Sequence, residues 1–595
     1  MPYAAARSSG GGTNAGESGV RRQYMDDFDF KSQRVLVVDD SSSMRKMLEM
    51  TVQSMGVQSV DLSESVFDVL YRIVKGGRHY DIILCDYILG EGRDGQHLLE
   101  ELKMRKLLPY ATVFIMVTAE RSYEKVVNAV ELAPDDYLLK PFSGQMLMDR
   151  IVEQAQKKKV LHALYDHLDA EHFDLAVTEA DRLLAESSLY RKEILRAKAD
   201  ALIVLDRLDE AEAIFRTILD ERAVPWARFG LARVEYLRHK LGAAEEILEQ
   251  LLADAPRYTA ACDLLADVKH DLEKHEGAQA VLEHGIRQSP RNLRRHRRLG
   301  VAALLNQDLE TANASLTAVM EFGQHSALVE ATDYSNLARC AVAMGDNERA
   351  LQVMERGTRR LPDDERMQVA SLFVKGAATA GTDAAGARSA VQAAIEQMER
   401  MHGQGARADR DLALVGMESC LKVGMVDQAS TLADSLLDDQ RRAVGEVQAT
   451  TAAAVAQVFQ SAGAREAADA VFERTRKEMA AINNEAVALA KEGKLREAMK
   501  LFIRAAAGKS ASNVAMVNAI RAILALMSDE GWDETLAREL DILFDRAREK
   551  AADEDKLATY EKQRAELMEK YGIRGVGKAS NALLTDDDIL SAIGV

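Results

Sequence analysis

The stretch VLVVDDSSSMRKML, residues 35–48, decides the fold of the first part of this chain. A short β-branched run of strand length leads directly into two neighbouring carboxylates, Asp39 and Asp40, and a segment with helical spacing of apolar residues follows. Two adjacent carboxylates at the end of a buried strand repel each other. A cation held between them and a third group would stabilise that arrangement, so the rest of the sequence must supply the third group.

Short apolar runs alternate with helical segments from Lys31 onward. The runs of strand length are RVLVVD, DIILCD, TVFIMVTA and DYLLK, with a weaker one near SVDLS. The intervening segments MRKMLEMTVQSM, VFDVLYRIV, GQHLLEELKMR and YEKVVNAVEL carry apolar residues at helical spacing. This alternation predicts βαβ units and an α/β domain built on a buried, doubly wound parallel sheet.

The carboxyl ends of parallel strands meet at one edge of a sheet, where ligands bind. The run DIILCD delivers Asp86 to that edge, FIMVTA delivers Thr118, and YLLKPF delivers Lys140. Three converging carboxylates make a hard oxygen site suited to Mg²⁺. Together with a hydroxyl and an ammonium group they provide the charge neutralisation and positioning that phosphoryl transfer needs.

These residues, in this order and spacing, resemble the receiver domain of two-component response regulators over residues 31–157. The resemblance implies a flavodoxin-like fold with a five-stranded parallel sheet and a phosphodonor partner, either a sensor histidine kinase or a phosphotransfer protein. It implies the following roles: Asp86 as phosphoacceptor; Asp39, Asp40, Asp86 and the backbone carbonyl of Ile88 as Mg²⁺ ligands; Thr118 and Lys140 as phosphoryl-binding residues; Tyr137 as the switch aromatic. Ile88 stands where the family often has a polar residue, which leads us to expect a long-lived phosphorylated state, and the loop around Gly90 departs from the family in length.

Residues 160–570 read as helix after helix, with an internal repeat. Small residues open the second helix of successive units in steps of 33, 34 and 34 residues, at Ala211, Ala244, Ala278 and Ala312. Another small residue stands twelve positions earlier in each unit, at Ala199, Ala232, Ala266 and Gly300. This period predicts tandem helical hairpins and resembles the tetratricopeptide repeat, so we expect an all-α superhelix.

Such arrays bind peptides in a concave groove. The repeat frame assigns five candidate groove residues: Phe229, Arg233, Tyr236, Arg294 and Arg297. The arginines belong to the run RNLRRHRRLG, which favours an acidic peptide as the unknown partner of the array. A solvated basic face is the alternative interpretation.

Composition excludes several classes of function. The net charge of −18 argues against nucleic-acid binding, and no apolar run approaches the length of a membrane span. The four cysteines stand far apart, without metal-ligand spacing, so we expect reduced thiols in a cytoplasmic protein. Residues 1–30, rich in Gly and Ser, predict a disordered tail.

Residues 571–595 predict a flexible linker followed by an amphipathic peptide. Ile589, Leu590 and Ile593 form an apolar stripe behind three aspartates. The run DDILSAIGV resembles the receiver-binding tail of the chemotaxis phosphatase CheZ family, which implies binding to a receiver domain. A terminal helix packed on the last repeat is the alternative.

Two functions compete at this point. The first is a phosphorylation-controlled adaptor, with no enzymatic activity beyond the receiver's own phosphorylation and dephosphorylation. The second is a phosphatase, or modulator of phosphate flow, acting on another receiver. Asp364 and Gln368, four residues apart on one predicted helix face, are the candidate pair for the second function.

Overall fold

The computed structural model describes residues 29–89, 95–119, 134–186, 190–323, 329–403, 409–440, 446–506, 511–550, 552 and 554–571. The chain divides into two compact units, residues 1–201 and 202–595. Within the described ranges, no helix combines the length and the apolar character that crossing a membrane requires. The predicted N-terminal tail, except for its last two residues, and nearly all of the predicted C-terminal peptide lie outside these ranges.

The first unit begins with the predicted alternation of strands and helices. Its elements are β1 (Arg34–Val38), α1 (Ser42–Ser54), β2 (Ser59–Ser63), α2 (Val66–Leu70) with a π-helical turn (Tyr71–Lys75), β3 (Ile82–Asp86), α3 (Gly95–Met104), β4 (Val113–Thr118), β5 (Asp136–Leu139), α4 (Gly144–Val160), α5 (His162–Asp169), α6 (Phe173–Glu186) and α7 (Arg191–Val204). All five predicted strands are therefore confirmed, including the weak one near SVDLS. The helix predicted from YEKVVNAVEL lies outside the described residues.

The five strands form one parallel sheet in the order β2-β1-β3-β4-β5. Alternate residues of each strand face opposite sides, because side chains in a strand have a period of two. Val35, Val37 and Leu84 pack under α1 and α4, whereas Leu36, Ile83 and Phe114 pack under α2 and α3. The sheet is thus covered on both faces, as the doubly wound prediction requires, and its core consists mainly of aliphatic side chains that are almost fully buried.

The first helical hairpin, α5 and α6, docks on the receiver-like fold at the amino-terminal ends of β4 and β5. The ring of Tyr110 stacks on that of Tyr165, with centroids 5.5 Å apart, and the Tyr110 amide donates to the carboxylate of Asp169 at 3.0 Å. Lys158 pairs with Asp135 at 2.9 Å and lies over the ring of Tyr165. The compact unit therefore extends well beyond residue 157, because aromatic and charged contacts join the hairpin to the sheet.

The second unit is entirely helical within the described residues. Its helices are α8 (Leu208–Glu221), α9 (Pro225–Leu237), α10 (Leu241–Asp254), α11 (Thr259–Asp271), α12 (His275–Gln288), α13 (Leu293–Leu305), α14 (Leu309–Phe322), α15 (Ala331–Ala343), α16 (Asn347–Arg360), α17 (Glu365–Thr379), α18 (Ala384–Gly403), α19 (Arg410–Lys422), α20 (Val426–Gln440), α21 (Glu446–Ser461), α22 (Arg465–Lys491), α23 (Leu495–Ala506), α24 (Asn513–Glu530), α25 (Glu534–Glu549) and α26 (Glu554–Lys570). Consecutive helices pair as hairpins, which confirms the tetratricopeptide-like, all-α architecture.

The small residues of the repeat lie where two helices of a hairpin approach most closely. Ala211, Ala244, Ala278 and Ala312 are all fully buried. At Gly300 of α13, a Cβ atom would lie 2.6 Å from the side chain of Leu316 in α14, closer than two carbon atoms can approach. Small residues therefore recur with a period of about 34 residues because a larger side chain would not fit between the two helices of each hairpin.

Two large apolar cores lie among the described residues of the array. One joins residues from Leu293 to Val471, and the other joins residues from Ala486 to Leu567. The 27-residue helix α22 contributes to both cores, since Val471 belongs to the first and Ala486 to the second. The helix thus serves two successive hairpins without an intervening turn.

Candidate phosphoryl-transfer site

The register of the sheet brings the predicted site residues to one edge. Val38 of β1 pairs with Cys85 of β3, so Asp39 and Asp86, the next residues of the two strands, are neighbours. β1 and β3 are also the point at which the strand order reverses, where a crevice opens in such sheets. In the β4–β5 pair, Thr118 pairs with Leu139, and Lys140 follows directly.

Three carboxylates converge in this crevice. Asp39, Asp40 and Asp86 each offer an oxygen, and these oxygens all lie within 4.8 Å of one another. The three differ in solvent access, because Asp39 is buried, Asp86 is half-buried and Asp40 is exposed. The predicted convergence of these side chains is confirmed.

Lys140 joins two of the carboxylates. Its Nζ atom lies 3.1 Å from Oδ2 of Asp39 and 3.0 Å from Oδ2 of Asp86. The ammonium group is itself largely shielded, with 17% of the side chain exposed. It holds the two strand ends together electrostatically and lies beside the group that would accept a phosphoryl unit.

Burial changes the acidity of the central carboxyl group. Removal from water raises the pKa of Asp86 above its ordinary value, and the negative charge of Asp39 acts in the same direction. The hydrogen bond and charge of Lys140 lower the pKa and oppose that rise. The single positive charge of Lys140 therefore does not balance the negative charge of the three carboxylates.

The donor set fits a magnesium ion. Mg²⁺ prefers oxygen ligands and commonly uses one or two carboxylates together with water and phosphate oxygens. Asp39, Asp40 and Asp86 supply such oxygens on one side of the crevice. The exposed position of Asp40 leaves that side open to solvent, from which water ligands would come.

Arg45 is a site residue that the sequence interpretation missed. Its Nη1 atom donates to the backbone carbonyls of Asp39 at 2.6 Å and Asp40 at 3.0 Å, and its guanidinium group pairs with Glu64. The side chain thereby fixes the backbone that carries both carboxylates. A signal was available, because a cation near the amino-terminus of a helix is disfavoured by the helix dipole and needs a local partner.

Gly95 is a second residue that was missed. A Cβ atom at this position would lie 2.3 Å from the carbonyl oxygen of Asp86 and 2.8 Å from the sulfur atoms of Cys85 and Met116. The Gly95 amide also donates to the carbonyl of Tyr87 at 2.7 Å. Only glycine lets α3 begin this close to the strand that carries Asp86.

The remaining predicted residues of the site differ in exposure. Thr118 ends β4 and is buried, and Tyr137 on β5 is half-buried against the core under α2 and α3. The side chain of Ile88 is 59% exposed, so it is open to water on one side. The roles of these three residues, including the Ile88 carbonyl as a metal ligand, stay predictions, and Gly90 lies outside the described residues.

The candidate groove residues of the array are largely engaged within the array. Phe229 is buried with its ring centroid 5.4 Å from that of Tyr258, and the Tyr236 hydroxyl donates to Asp271 at 2.9 Å. Arg233 is half-buried and Arg294 is exposed. Their contribution to partner binding stays a prediction.

The basic run RNLRRHRRLG forms ion pairs between repeats. Arg295 of α13 makes a bidentate pair with Asp263 of α11, at 2.7 and 3.0 Å. Arg298 contacts the carboxylate of Asp267 in the same helix. Sequence reasoning offered a peptide-binding or a solvated face, and these two arginines instead join successive hairpins.

A third arginine of this run belongs to a charged cluster that we term the polar seam: Arg297, Asp333, Asn336, Arg339, Asp411 and Glu418. Arg297 makes a bidentate pair with Asp333, at 2.5 and 2.6 Å. Arg339 makes a second bidentate pair with Glu418, at 2.7 and 2.9 Å, and also donates to Asn336. Asn336 in turn donates to Asp411 at 3.4 Å.

The candidate phosphatase pair makes local hydrogen bonds. Asp364 caps α17 by accepting from the amide of Met367 at 3.1 Å, and Gln368 donates to the carbonyl of Pro362 at 3.0 Å. Asp364 thus caps the helix, and Gln368 closes the turn that precedes it. The C-terminal residues Ile589, Leu590 and Ile593 lie outside the described residues.

Comparison with known protein families matches residues 35–152 to the response regulator receiver domain. Chemotaxis protein CheY-3 of Vibrio cholerae serotype O1 is 26% identical over 121 residues, which cover 20% of this chain and 90% of CheY-3.

Two solved structures are similar to different parts of the chain. The receiver domain of the Francisella response regulator 1452 is 25% identical and covers 21% of this chain and 98% of its own, with a TM-score of 0.19. A tetratricopeptide repeat protein from Parabacteroides merdae is 10% identical and covers 51% of this chain and 98% of its own, with a TM-score of 0.30.

Proposed function

We propose, on the premise that residues 35–152 are a response regulator receiver domain, that this protein is phosphorylated on Asp86 and thereby controls the binding of a protein partner to its helical array. The observation that supports this most is the convergence of Asp39, Asp40 and Asp86 beside the ammonium group of Lys140. The phosphodonor would be a sensor histidine kinase or a phosphotransfer protein.

The proposed reaction is a single displacement at phosphorus. A carboxylate oxygen of Asp86 forms a bond to phosphorus while the bond from phosphorus to the donor's imidazole nitrogen breaks, and the imidazole leaves with the bonding electrons. Lys140 and the Thr118 hydroxyl would contact the transferred phosphoryl oxygens. A bound Mg²⁺, held by Asp39, Asp40, Asp86 and the Ile88 carbonyl, would neutralise charge on those oxygens.

Phosphorylation can be tested with a small donor. The full chain is incubated with acetyl phosphate and MgCl₂, and incorporation is followed by intact mass. We expect one phosphoryl group on the wild type and none on Asp86→Asn, with Asp149→Asn as a control because Asp149 is an exposed aspartate on α4. Stoichiometric phosphorylation of Asp86→Asn would identify another nucleophile and contradict the assignment.

The adaptor role requires a second experiment. Proteins captured by the phosphorylated chain are compared with those captured by Asp86→Ala under the same conditions. We expect at least one partner whose recovery depends on the phosphorylated state. Release of phosphate from other phosphorylated receivers by the isolated chain would instead favour the phosphatase alternative.

The C-terminal peptide is proposed to bind a receiver domain. Its apolar stripe, Ile589, Leu590 and Ile593, needs burial, and each such side chain contributes about 1.5–3 kcal/mol when fully covered. A synthetic peptide of residues 580–595 should bind this or another receiver, with an affinity that differs between the phosphorylated and unphosphorylated states. Ile589→Asp should abolish binding, whereas a change at Asn581 should not. Absence of binding to every receiver tested would refute this proposal.

A further inference from the structure

Two histidines face each other across the turn that joins α11 to α12. His270 lies in the last turn of α11 and is buried, whereas His275 is the first residue of α12 and is half-buried. Their Nδ1 atoms lie 3.1 Å apart, and the ring centroids lie 5.4 Å apart with the ring planes inclined by 38°. Two ring nitrogens this close can bind one and the same ion.

The backbone around the two rings is held by hydrogen bonds. The Glu273 amide donates to the His270 carbonyl at 3.0 Å, and Glu273 has the left-handed φ of 60° that closes the turn. On the other side of the turn, Asn306 at the end of α13 donates from Nδ2 to the His275 carbonyl at 3.2 Å. The spacing of the two imidazoles is therefore set by the fold, as a chelating site requires.

The lysines nearest to the pair in sequence are already neutralised. The Nζ atom of Lys269 lies 2.8 Å from Glu245 and 2.7 Å from Glu249 of α10, and the Nζ atom of Lys274 lies 2.6 Å from Glu245. The residue directly after His270 is an aspartate. A divalent cation at the two rings would thus not face uncompensated positive charge from these lysines.

The separation of the two nitrogens matches that of two ligands on one metal ion. Imidazole nitrogens bind Zn²⁺ at about 2.0–2.1 Å, which places two of them about 2.9 Å apart at a right angle and about 3.3 Å apart at the tetrahedral angle. The observed 3.1 Å lies between these values. Without an ion, one Nδ1–H group donates to the other nitrogen; when that proton moves to Nε2 of its own ring, both Nδ1 lone pairs are available to the ion.

We propose that His270 and His275 bind one Zn²⁺ ion through their Nδ1 atoms and that this ion joins the end of α11 to the start of α12. Imidazole nitrogen suits Zn²⁺, whereas Mg²⁺ and Ca²⁺ prefer oxygen. Among the described residues, no third histidine, cysteine or carboxylate brings a ligand atom within 4.8 Å of both nitrogens, so water would complete the coordination. The site lies in the helical array, apart from the three carboxylates of the receiver, and does not depend on the proposed function.

The ion would act on a hairpin with contacts beyond its own repeat. Helix α11 contacts α21 in addition to its neighbours α10 and α12. An ion that binds the folded hairpin more tightly than the unfolded chain stabilises the folded state by mass action. Zn²⁺ should therefore stabilise this part of the array, with no change required in the receiver.

The test is calorimetric titration of the full chain with ZnCl₂ in the presence of excess MgCl₂, which competes for oxygen sites. We expect His270→Ala and His275→Ala each to bind about one equivalent of Zn²⁺ less than the wild type, because one imidazole alone does not chelate the ion. His284→Ala is the matched control on the same helix α12, since the His284 ring contacts the Pro256 carbonyl at 3.0 Å and takes no part in the pair. It should keep the wild-type stoichiometry.

A spectroscopic measurement identifies the ligands directly. One equivalent of Cu²⁺, which also prefers imidazole, is added to each protein, and electron paramagnetic resonance reads the hyperfine coupling of the bound nitrogens. We expect coupling to two imidazole nitrogens in the wild type and in His284→Ala, and its loss in His275→Ala. Zn²⁺ should also raise the thermal unfolding midpoint of the wild type more than that of His275→Ala.

Equal Zn²⁺ stoichiometry in the wild type, His270→Ala and His275→Ala would overturn the proposal and leave the pair as a hydrogen bond between two histidines. Two-nitrogen coupling of Cu²⁺ that persists in His275→Ala would overturn it as well. Circular dichroism in the presence of EDTA checks that each variant folds. If His270→Ala, which removes a buried ring, does not fold, His275→Ala decides alone, because its ring is half-buried.

Discussion

At the scale of single residues, Lys140 contacts several groups of the receiver domain at once. Its ammonium group lies within 3.1 Å of two carboxylates on different strands, and its backbone amide donates to the Thr118 carbonyl at 2.7 Å. The side chain is therefore placed to compensate the charge of Asp86.

Lys140→Ala should permit phosphorylation of Asp86 but weaken the conformational response to it. The carboxylates would remain, while the cation that contacts both strand ends would be lost. Phosphorylation is measured by intact mass, and the response by hydrogen exchange of β4 and β5 with and without acetyl phosphate. A full hydrogen-exchange response in Lys140→Ala would show that the ammonium group does not transmit the change.

Asp40→Ala should weaken binding of Mg²⁺ roughly tenfold or more, because one of three carboxylate oxygens is removed from the site. The exposed side chain of Asp40 makes a general loss of stability a poor explanation for such a result. Mg²⁺ titration followed by calorimetry provides the measurement, with Asp149→Asn as the control. An unaltered titration would remove Asp40 from the set of ligands.

Most side chains of the candidate phosphoryl-transfer site could be predicted from the sequence. Asp39, Asp86 and Lys140 were found because parallel strands deliver their last residues to one edge, a rule that needs no knowledge of side-chain contacts. Gly95 and Arg45 were missed because they act on the backbone of the site. Their roles depend on close approaches and hydrogen-bond directions, which a sequence pattern does not encode.

At the scale of helices and strands, close packing within hairpins explains the repeat. Helices α13 and α14 approach so closely at Gly300 that a methyl group would overlap Leu316, a side chain that is fully buried. The equivalent residues of three other repeats are alanines, Ala199, Ala232 and Ala266, and all three are fully buried.

Gly300→Ala should destabilise the array by about 1–3 kcal/mol, the usual cost of overpacking a core. Gly242→Ala is the matched control, because this helical glycine has no atom within 4 Å of the added Cβ and should instead gain up to about 1 kcal/mol in helix propensity. Urea unfolding monitored by circular dichroism measures both. Equal stability of the two variants would show that Leu316 moves aside freely, and Leu316→Val should partly rescue Gly300→Ala.

At this scale the pairing of helices into hairpins could be predicted from the sequence, whereas the place where one helix ends and the next begins could not always be predicted. The 34-residue period identified the hairpins because small residues recur wherever two helices touch. The continuous helix α22 was not predicted, since two units joined without a turn leave no glycine or proline signal to interpret.

At the scale of the whole molecule, the four cysteines lie in the packed interiors of the two units, Cys85 in the first and the other three in the second. All four are buried, and burial raises the pKa of Cys262 to about 11, of Cys340 to about 11 and of Cys420 to about 12. The thiolate is the reactive form, so a raised pKa and a buried sulfur both slow reaction.

In the folded protein at pH 8, none of the four thiols should react rapidly with a disulfide reagent such as Ellman's reagent. The denatured protein should release the chromophore for four thiols, in accord with the predicted reduced state. Absorbance against time measures both. Rapid stoichiometric reaction of one thiol in the native protein would locate a region that opens readily.

The polar contact between α15 and α19 could not be predicted from sequence. Arg339 and Glu418 are separated by 79 residues, and polar contacts across an array have no period that would reveal them. Periodicity identifies which faces of helices are apolar, but curvature of a repeat array accumulates from small rotations between neighbours. Those rotations decide which distant polar residues meet.

The docked first hairpin gives β4 and β5 two occupied ends. Thr118 and Lys140 lie at the carboxyl ends of these strands. At the amino ends, Tyr110 stacks on Tyr165 of the hairpin, and Asp135 pairs with Lys158 of α4, which lies over the same Tyr165 ring. If phosphorylation changes the equilibrium constant for hairpin docking by some factor, then docking must change the equilibrium constant for phosphorylation by the same factor. A fragment cut after residue 157 would lack the docked hairpin. The equilibrium of its phosphorylation would therefore differ from that of the intact chain by the coupling free energy between docking and phosphorylation.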